Sequence, residues 1–73
     1  MEHPETYVIR VEGRIDEHWA ARFEGLTIVV GTSHTGKPII SITGEFVDQA
    51  SLFGLLRQLY NLQLPLVSVN RVE

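Results

Sequence analysis

Cysteine is missing from this chain of 73 residues, which excludes disulfide bonds and thiolate metal sites. Basic residues are also few, with six Lys and Arg against nine Asp and Glu and a formal net charge of −3. The six are scattered, whereas nucleic-acid-binding proteins usually carry a basic cluster, so we expect no nucleic-acid partner. No apolar run reaches the ~18 residues that span a bilayer, and the N-terminus lacks a signal-peptide pattern. We therefore expect a cytoplasmic protein with no membrane association.

The length leaves room for one domain with a modest core. Domains of this size often gain stability from disulfides, a bound metal or a partner subunit. Since the chain has no cysteine, association with another subunit is the remaining common device. We therefore expect a homo-oligomer, in the simplest case a dimer, or a complex with another protein.

The first part of the chain predicts a tail, a strand and a short helix. Residues 1–6 are polar and are expected to form a flexible tail. Residues 7–15 alternate between apolar and polar positions, which is typical of a strand with one buried face. Residues 16–25 predict a short helix, whose anchors Trp19 and Phe23 lie four positions apart and share one face.

The middle of the chain predicts a hairpin. Residues 26–30 and 39–43 are rich in β-branched side chains, and residues 31–38 between them are rich in turn formers. The loop also matches the pattern G-x-x-x-x-G-K of a phosphate-binding loop. Pro38 stands where such loops place a Ser or Thr, and a strand rather than a helix follows, so we interpret the match as coincidental.

The last third predicts a long helix and a final strand over residues 66–72. Asp48 stands at the N-cap position, and we expect Pro65 to end the helix. The apolar side chains of this helix sweep about 180°, whereas a helix that lies on a sheet needs a stripe little wider than ~100°. The excess lies on both flanks, and either the short helix or a second subunit would cover it. The candidate interface residues of the helix are therefore Phe53 and Tyr60 on one flank and Leu55 and Leu62 on the other.

The order of these elements predicts the α+β class. The expected fold is a ferredoxin-like βαββαβ two-layer sandwich over residues 7–73, a single domain in which one short and one long helix cover one face of a four-stranded antiparallel sheet. The second face would be open. From the alternation it would carry Val8, Val29 and Ile39 among polar residues, and such a mixture suits a modest protein interface. The final strand would add Leu66, Ser68, Asn70 and Val72 to the same face.

No motif predicts catalysis, a cofactor or a metal. The three histidines are His3, His18 and His34, and they are too far apart in sequence to show the spacing of metal ligands. Ser33 is next to His34, but no acidic partner or strained turn accompanies this pair. We therefore expect neither an enzyme nor a cofactor-binding protein.

Two stretches resemble a known sequence pattern. Gly44 begins the run G-x-x-x-D-Q-x-x-L-x-G-L-L, and Leu64 begins L-P-L-x-S-V, downstream of a Trp and a Phe like Trp19 and Phe23. The pattern is similar to that of a family of small, uncharacterised bacterial proteins, and it covers most of the chain from Tyr7 onwards. The resemblance implies a stand-alone intracellular bacterial protein and supports the fold, but it implies no activity and no catalytic residue.

The sequence thus leaves two functions open. The first is a small non-enzymatic protein-interaction or regulatory domain that associates with itself through the open sheet face, an edge strand or the helix flanks. The alternative is a small-molecule-binding sensor or regulator with its site at a subunit interface, which rests on analogy to sensor domains of the same fold.

Overall fold

A computed structural model describes residues 3–15 and 25–72 of the chain. This part contains four strands and one helix, in the order β1 (Glu5–Glu12), β2 (Thr27–Thr32), β3 (Pro38–Phe46), α1 (Gln49–Asn61) and β4 (Leu66–Val72). All neighbouring strands are antiparallel, and their order in the sheet is β2-β3-β1-β4. The α+β class is therefore confirmed. The described part has one helix rather than the predicted two, because residues 16–24 of the helix predicted over residues 16–25 lie outside it.

The core lies between α1 and one face of the two central strands. Alternation places the apolar side chains of β1 and β3 on the same face, and the register aligns Ile9 with Ile42 and Val11 with Ile40. These four side chains are fully buried. Burying an aliphatic side chain of this size stabilises a fold by about 1.5–3 kcal/mol. The helix covers them with three leucines at helical spacing, Leu52, Leu55 and Leu59.

β1 starts earlier and ends earlier than its alternation predicts. It begins at Glu5, because Glu5 and Thr6 pair with the end of β3, so the predicted tail over residues 1–6 overlaps the strand. It ends at Glu12, because Gly13 follows with a φ of 125°, a conformation that favours glycine and interrupts the strand.

Asp48 caps α1 as predicted. Its Oδ1 accepts a hydrogen bond from the backbone N–H of Ser51 at 2.8 Å, and the Ser51 hydroxyl donates to the Asp48 carbonyl oxygen at 2.9 Å. The first bond is that of an N-cap, in which a side-chain oxygen satisfies a backbone donor at the start of the helix.

The end of α1 differs from the prediction, since the helix stops at Asn61, before Pro65. Gln63 adopts the left-handed conformation with a φ of 59°. The N–H of Gln63 donates to the Tyr60 carbonyl at 2.9 Å, and the N–H of Leu64 donates to the Leu59 carbonyl at 3.2 Å. These two bonds form a Schellman motif, with glutamine at the position that glycine usually occupies.

A β-bulge changes which face of the sheet the first residues of β4 lie on. Ser68 pairs with Arg10, but the next pair is Leu66 with Val11, so Val67 is an extra residue in β4. Leu66 consequently lies on the helix side of the sheet with Val11. The prediction that Leu66 lies on the open face is wrong, and Val67 contributes to that face instead.

Two glycine substitutions test the packing. A Cβ on Gly44 would overlap with Cδ2 of Leu26, which packs against the core, so we expect Gly44→Ala to destabilise the fold by about 1–3 kcal/mol. The matched control is Gly54→Ala, because Gly54 is a helical glycine with open space around its Cα, and we expect this variant to gain about 1 kcal/mol. Urea unfolding of both variants measures the two effects, and equal stability of the two would contradict this account.

The cap predicts a defined acid response. The Ser51 backbone N–H holds the pKa of Asp48 below its ordinary value of 3.8. A depressed folded pKa stabilises the fold above the unfolded value, and this stabilisation is lost as the pH falls through the folded pKa. Asparagine caps helices about as well but does not titrate. We therefore expect the wild type to lose stability relative to Asp48→Asn as the pH falls below 3.8. Urea unfolding of both proteins at several pH values measures this loss. A difference that is independent of pH would rule this effect out.

Candidate functional site

One flank of α1 carries large apolar side chains that remain exposed next to the edge strand β4. Phe53, Tyr60 and Leu66 are 60%, 70% and 57% exposed. Phe53 and Tyr60 lie two helical turns apart on the same side, and Leu56 lies between them. Near Tyr60 and Leu66 there is a groove of about 420 Å³, which we refer to as the helix-edge groove. Its lining is almost entirely apolar and consists of Val11, Leu56, Leu59, Tyr60, Gln63, Leu64, Pro65 and Leu66.

Backbone hydrogen bonds fix the groove in place. The Schellman motif turns the chain directly after α1, and the Glu12 N–H donates to the Pro65 carbonyl at 2.9 Å, which ties the turn to β1. The bulge at Val67 then brings Leu66 to the helix side of the sheet. The groove thus depends on Gln63 and Val67, two residues whose conformations have no clear sequence signal.

The predicted helix-flank residues differ in how exposed they are. Phe53 and Tyr60 are exposed, and Leu62 is partly buried. Leu55 is only 6% exposed and belongs to the core. Leu55 is therefore covered within the single chain rather than left for a second subunit. The interface role of the other three residues stays a prediction.

The second candidate surface is the open face of the sheet. Strand pairing brings Val29, Ser41, Arg10 and Ser68 into one row across all four strands. A depression of about 420 Å³ lies over Val29, Ser41 and Arg10 of this row, and we refer to it as the open-face depression. Its apolar residues are Val29, Ile39 and Val67, of which Val29 and Val67 are 57% and 51% exposed.

The open face includes all three residues that the sequence predicted for it. Val29 and Ile39 line the open-face depression. Val8 is partly buried and lies in the next row, where it pairs with Thr43 and Asn70. Arg10 also lies on this face, since it is two positions from Val8 on β1, whereas no sequence signal placed Val67 there.

Arg10 is the central charged group of the open-face depression. Its two cross-strand neighbours are Ser41 and Ser68, neither of which carries a charge. Glu12 lies two positions along the same face, but its carboxylate is 3.6 Å from Nζ of Lys37. Within residues 3–15 and 25–72, no ion pair includes Arg10. The depression therefore combines an apolar floor with one guanidinium group.

The hairpin loop forms one wall of the open-face depression, and its own hydrogen bonds hold it together. The Ser33 N–H donates to the Lys37 carbonyl at 2.8 Å, and the Gly36 N–H donates to the Ser33 carbonyl at 2.9 Å. The Lys37 N–H donates to the Ser33 hydroxyl at 3.2 Å. A phosphate-binding loop needs free backbone N–H groups, and three are used here, so the geometry agrees with a coincidental motif match.

Ser33 and His34 do not form a nucleophile–base pair in this loop. The Ser33 hydroxyl lies 2.9 Å from the hydroxyl of Thr35 and also accepts the Lys37 N–H. In the part of the chain that the structure describes, no cluster of three or more His, Asp or Glu side chains could hold a metal ion. No helix in that part combines the length and the apolar character that crossing a membrane requires.

Comparison with known proteins gives one match. The model of a family described as a domain of unknown function, DUF8691, matches residues 6–70. No curated protein and no solved structure matches the chain. The match covers β2, β3 and α1 and most of β1 and β4, and it includes the lining residues of both candidate surfaces.

Proposed function

The chain belongs to the DUF8691 family, and we propose that it is a small non-enzymatic interaction domain that pairs with a second copy of itself through the helix-edge groove. The observation that carries the proposal is the exposure of Tyr60 and Leu66 at an apolar groove, together with the exposure of Phe53 on the same flank of α1. Contiguous exposed apolar surface of this kind marks an interaction site in a small protein. Exposed aromatic residues are also the side chains that most often anchor protein interfaces.

The position of the groove favours a second copy as the partner. β4 is at the end of the sheet, so its outer backbone groups have no neighbouring strand in the described part. A two-fold axis beside β4 would place β4 against β4 and α1 against α1, with the same contacts made twice. Strand pairing would satisfy the edge, and the same arrangement would cover the aromatic flank of α1.

The finer features of the fold and of its setting are also part of this proposal. The strand order β2-β3-β1-β4 supports a ferredoxin-like βαββαβ arrangement, in which the helix predicted over residues 16–25 joins β1 to β2 on the same face as α1. Gly25 supports this, since its φ of 84° suits the residue after a helix end. The proposed setting is the cytoplasm of a bacterium, and this rests on the sequence resemblance and composition.

A second candidate function is that of a small-molecule-binding regulator. The observation that favours it is the open-face depression, where an apolar floor meets a single guanidinium group. Pockets that bind small molecules commonly combine apolar walls with a few polar groups, and they have volumes of roughly 300–1,000 Å³. The two functions are compatible, because the depression and the helix-edge groove lie on opposite faces of the sheet.

Replacing Phe53 tests self-association. We expect the wild-type chain to form a dimer and Phe53→Glu to weaken it about tenfold or more, because a charge would be buried where an aromatic anchor packs. Light scattering over a wide range of concentrations measures the change in mass. Circular dichroism checks that the variant is folded, which we expect because Phe53 is mostly exposed in the single chain.

Gln58→Glu is the matched control. It introduces the same charge on the same helix, but five positions from Phe53 and therefore on a different side. We expect it to leave the dimer intact. A wild-type chain that is monomeric at all concentrations, or equal effects of the two substitutions, would refute pairing through the helix-edge groove.

A further inference from the structure

We propose that the open-face depression binds a small carboxylate that has an apolar body, such as an aliphatic or aromatic carboxylic acid. The carboxylate would bind to the guanidinium of Arg10, and the apolar part would cover Val29, Ile39 and Val67. This inference is independent of self-association, since it concerns the other face of the sheet.

The charge balance around Arg10 argues for an anionic ligand. A guanidinium group binds a carboxylate through two parallel hydrogen bonds, and Arg10 lies in the lining of a depression rather than at the rim of the sheet. The nearest acidic residue on its strand and face, Glu12, is paired with Lys37. Both cross-strand neighbours of Arg10 are serines. An anion would therefore meet a cation whose charge no described carboxylate neutralises.

Hydroxyl groups next to Arg10 add polar contacts for such a ligand. Ser41 lines the depression beside Arg10. On the other side, the Ser68 hydroxyl oxygen is buried and has no hydrogen-bond partner in the described part of the chain. A buried hydroxyl without a partner is unfavourable, so a small rearrangement that lets Ser68 donate to a bound carboxylate would help binding.

The remaining walls define the rest of the ligand. Two exposed valines and Ile39 give the floor an apolar character, which a fully polar anion would not use. The loop that forms one wall uses the N–H groups of Ser33, Gly36 and Lys37 within itself, so it offers little to a phosphate group. One guanidinium with an apolar floor therefore fits a monocarboxylate better than a nucleotide or a sugar phosphate.

The test is a nuclear magnetic resonance titration of the ¹⁵N-labelled full chain with sodium hexanoate. Sodium chloride at the same ionic strength controls for screening, and 1-hexanol controls for the apolar tail. We expect saturable shifts with millimolar affinity at the amides of Val29, Ile39, Ser41 and Val67. Chloride should give no saturable shifts, and hexanol should bind at least about tenfold more weakly, because it lacks the charge that Arg10 recognises.

Two substitutions isolate the role of Arg10. We expect Arg10→Gln to weaken hexanoate binding by about tenfold or more. Ser41→Asp should have a similar effect, because it places a carboxylate opposite Arg10 on the neighbouring strand, where it competes with the ligand. The control is Arg57→Gln, which removes the same charge from an exposed position on α1 and should leave the affinity unchanged.

Three results would overturn the proposal. The first is the absence of saturable shifts with hexanoate. The second is saturation at amides away from the open face. The third is an affinity that Arg10→Gln and Ser41→Asp both leave unchanged in variants whose spectra show a folded protein. The titration measures ligand binding at the open face, and light scattering measures self-association through the helix-edge groove. Either proposal can therefore fail without the other.

Discussion

The burial of one row of aliphatic side chains on each of two adjacent strands determines the rest of the described structure. Ile9, Val11, Ile40 and Ile42 are fully buried because the leucines of α1 cover them. A sheet has two faces, and the described part of the chain has a helix for one of them. The other face must therefore combine polar side chains with limited apolar ones, which is what the row through Arg10 contains. The core thus creates the open face, and with it the open-face depression.

Both candidate surfaces depend on β4, which contributes a different residue to each. Leu66 borders the helix-edge groove, and Val67 lines the open-face depression. The bulge decides which residue lies on which face, since in a regular strand Val67 would face the helix side with Val69, and Leu66 would face the open side. Leu66 and Val67, which are consecutive apolar residues of an edge strand, therefore lie on opposite faces of the sheet.

Much of the fold could be predicted from the sequence, because strong local patterns encode it. The alternation around Ile9 and Val11 identified the buried face of β1, and Asp48 marked the start of α1. The candidate site was harder to predict, since it depends on features with weak local signals. Gln63 ends α1 in a conformation that glycine or asparagine would signal, and no Gly or Pro marks the bulge at Val67. The burial of Leu55 depends on tertiary contacts, which helical periodicity alone does not specify.

The bulge also has a consequence for how far assembly can proceed. An unpaired edge strand can act as a template for further strands, and long regular edges are the usual starting points of fibrous aggregates. In β4 the irregularity at Val67 interrupts the regular spacing of the edge near its first residues, so an incoming strand would find a regular partner only over residues 68–72. So short an edge gives little support to open-ended growth. The irregularity therefore favours a specific, limited contact at β4 over regular extension of the sheet.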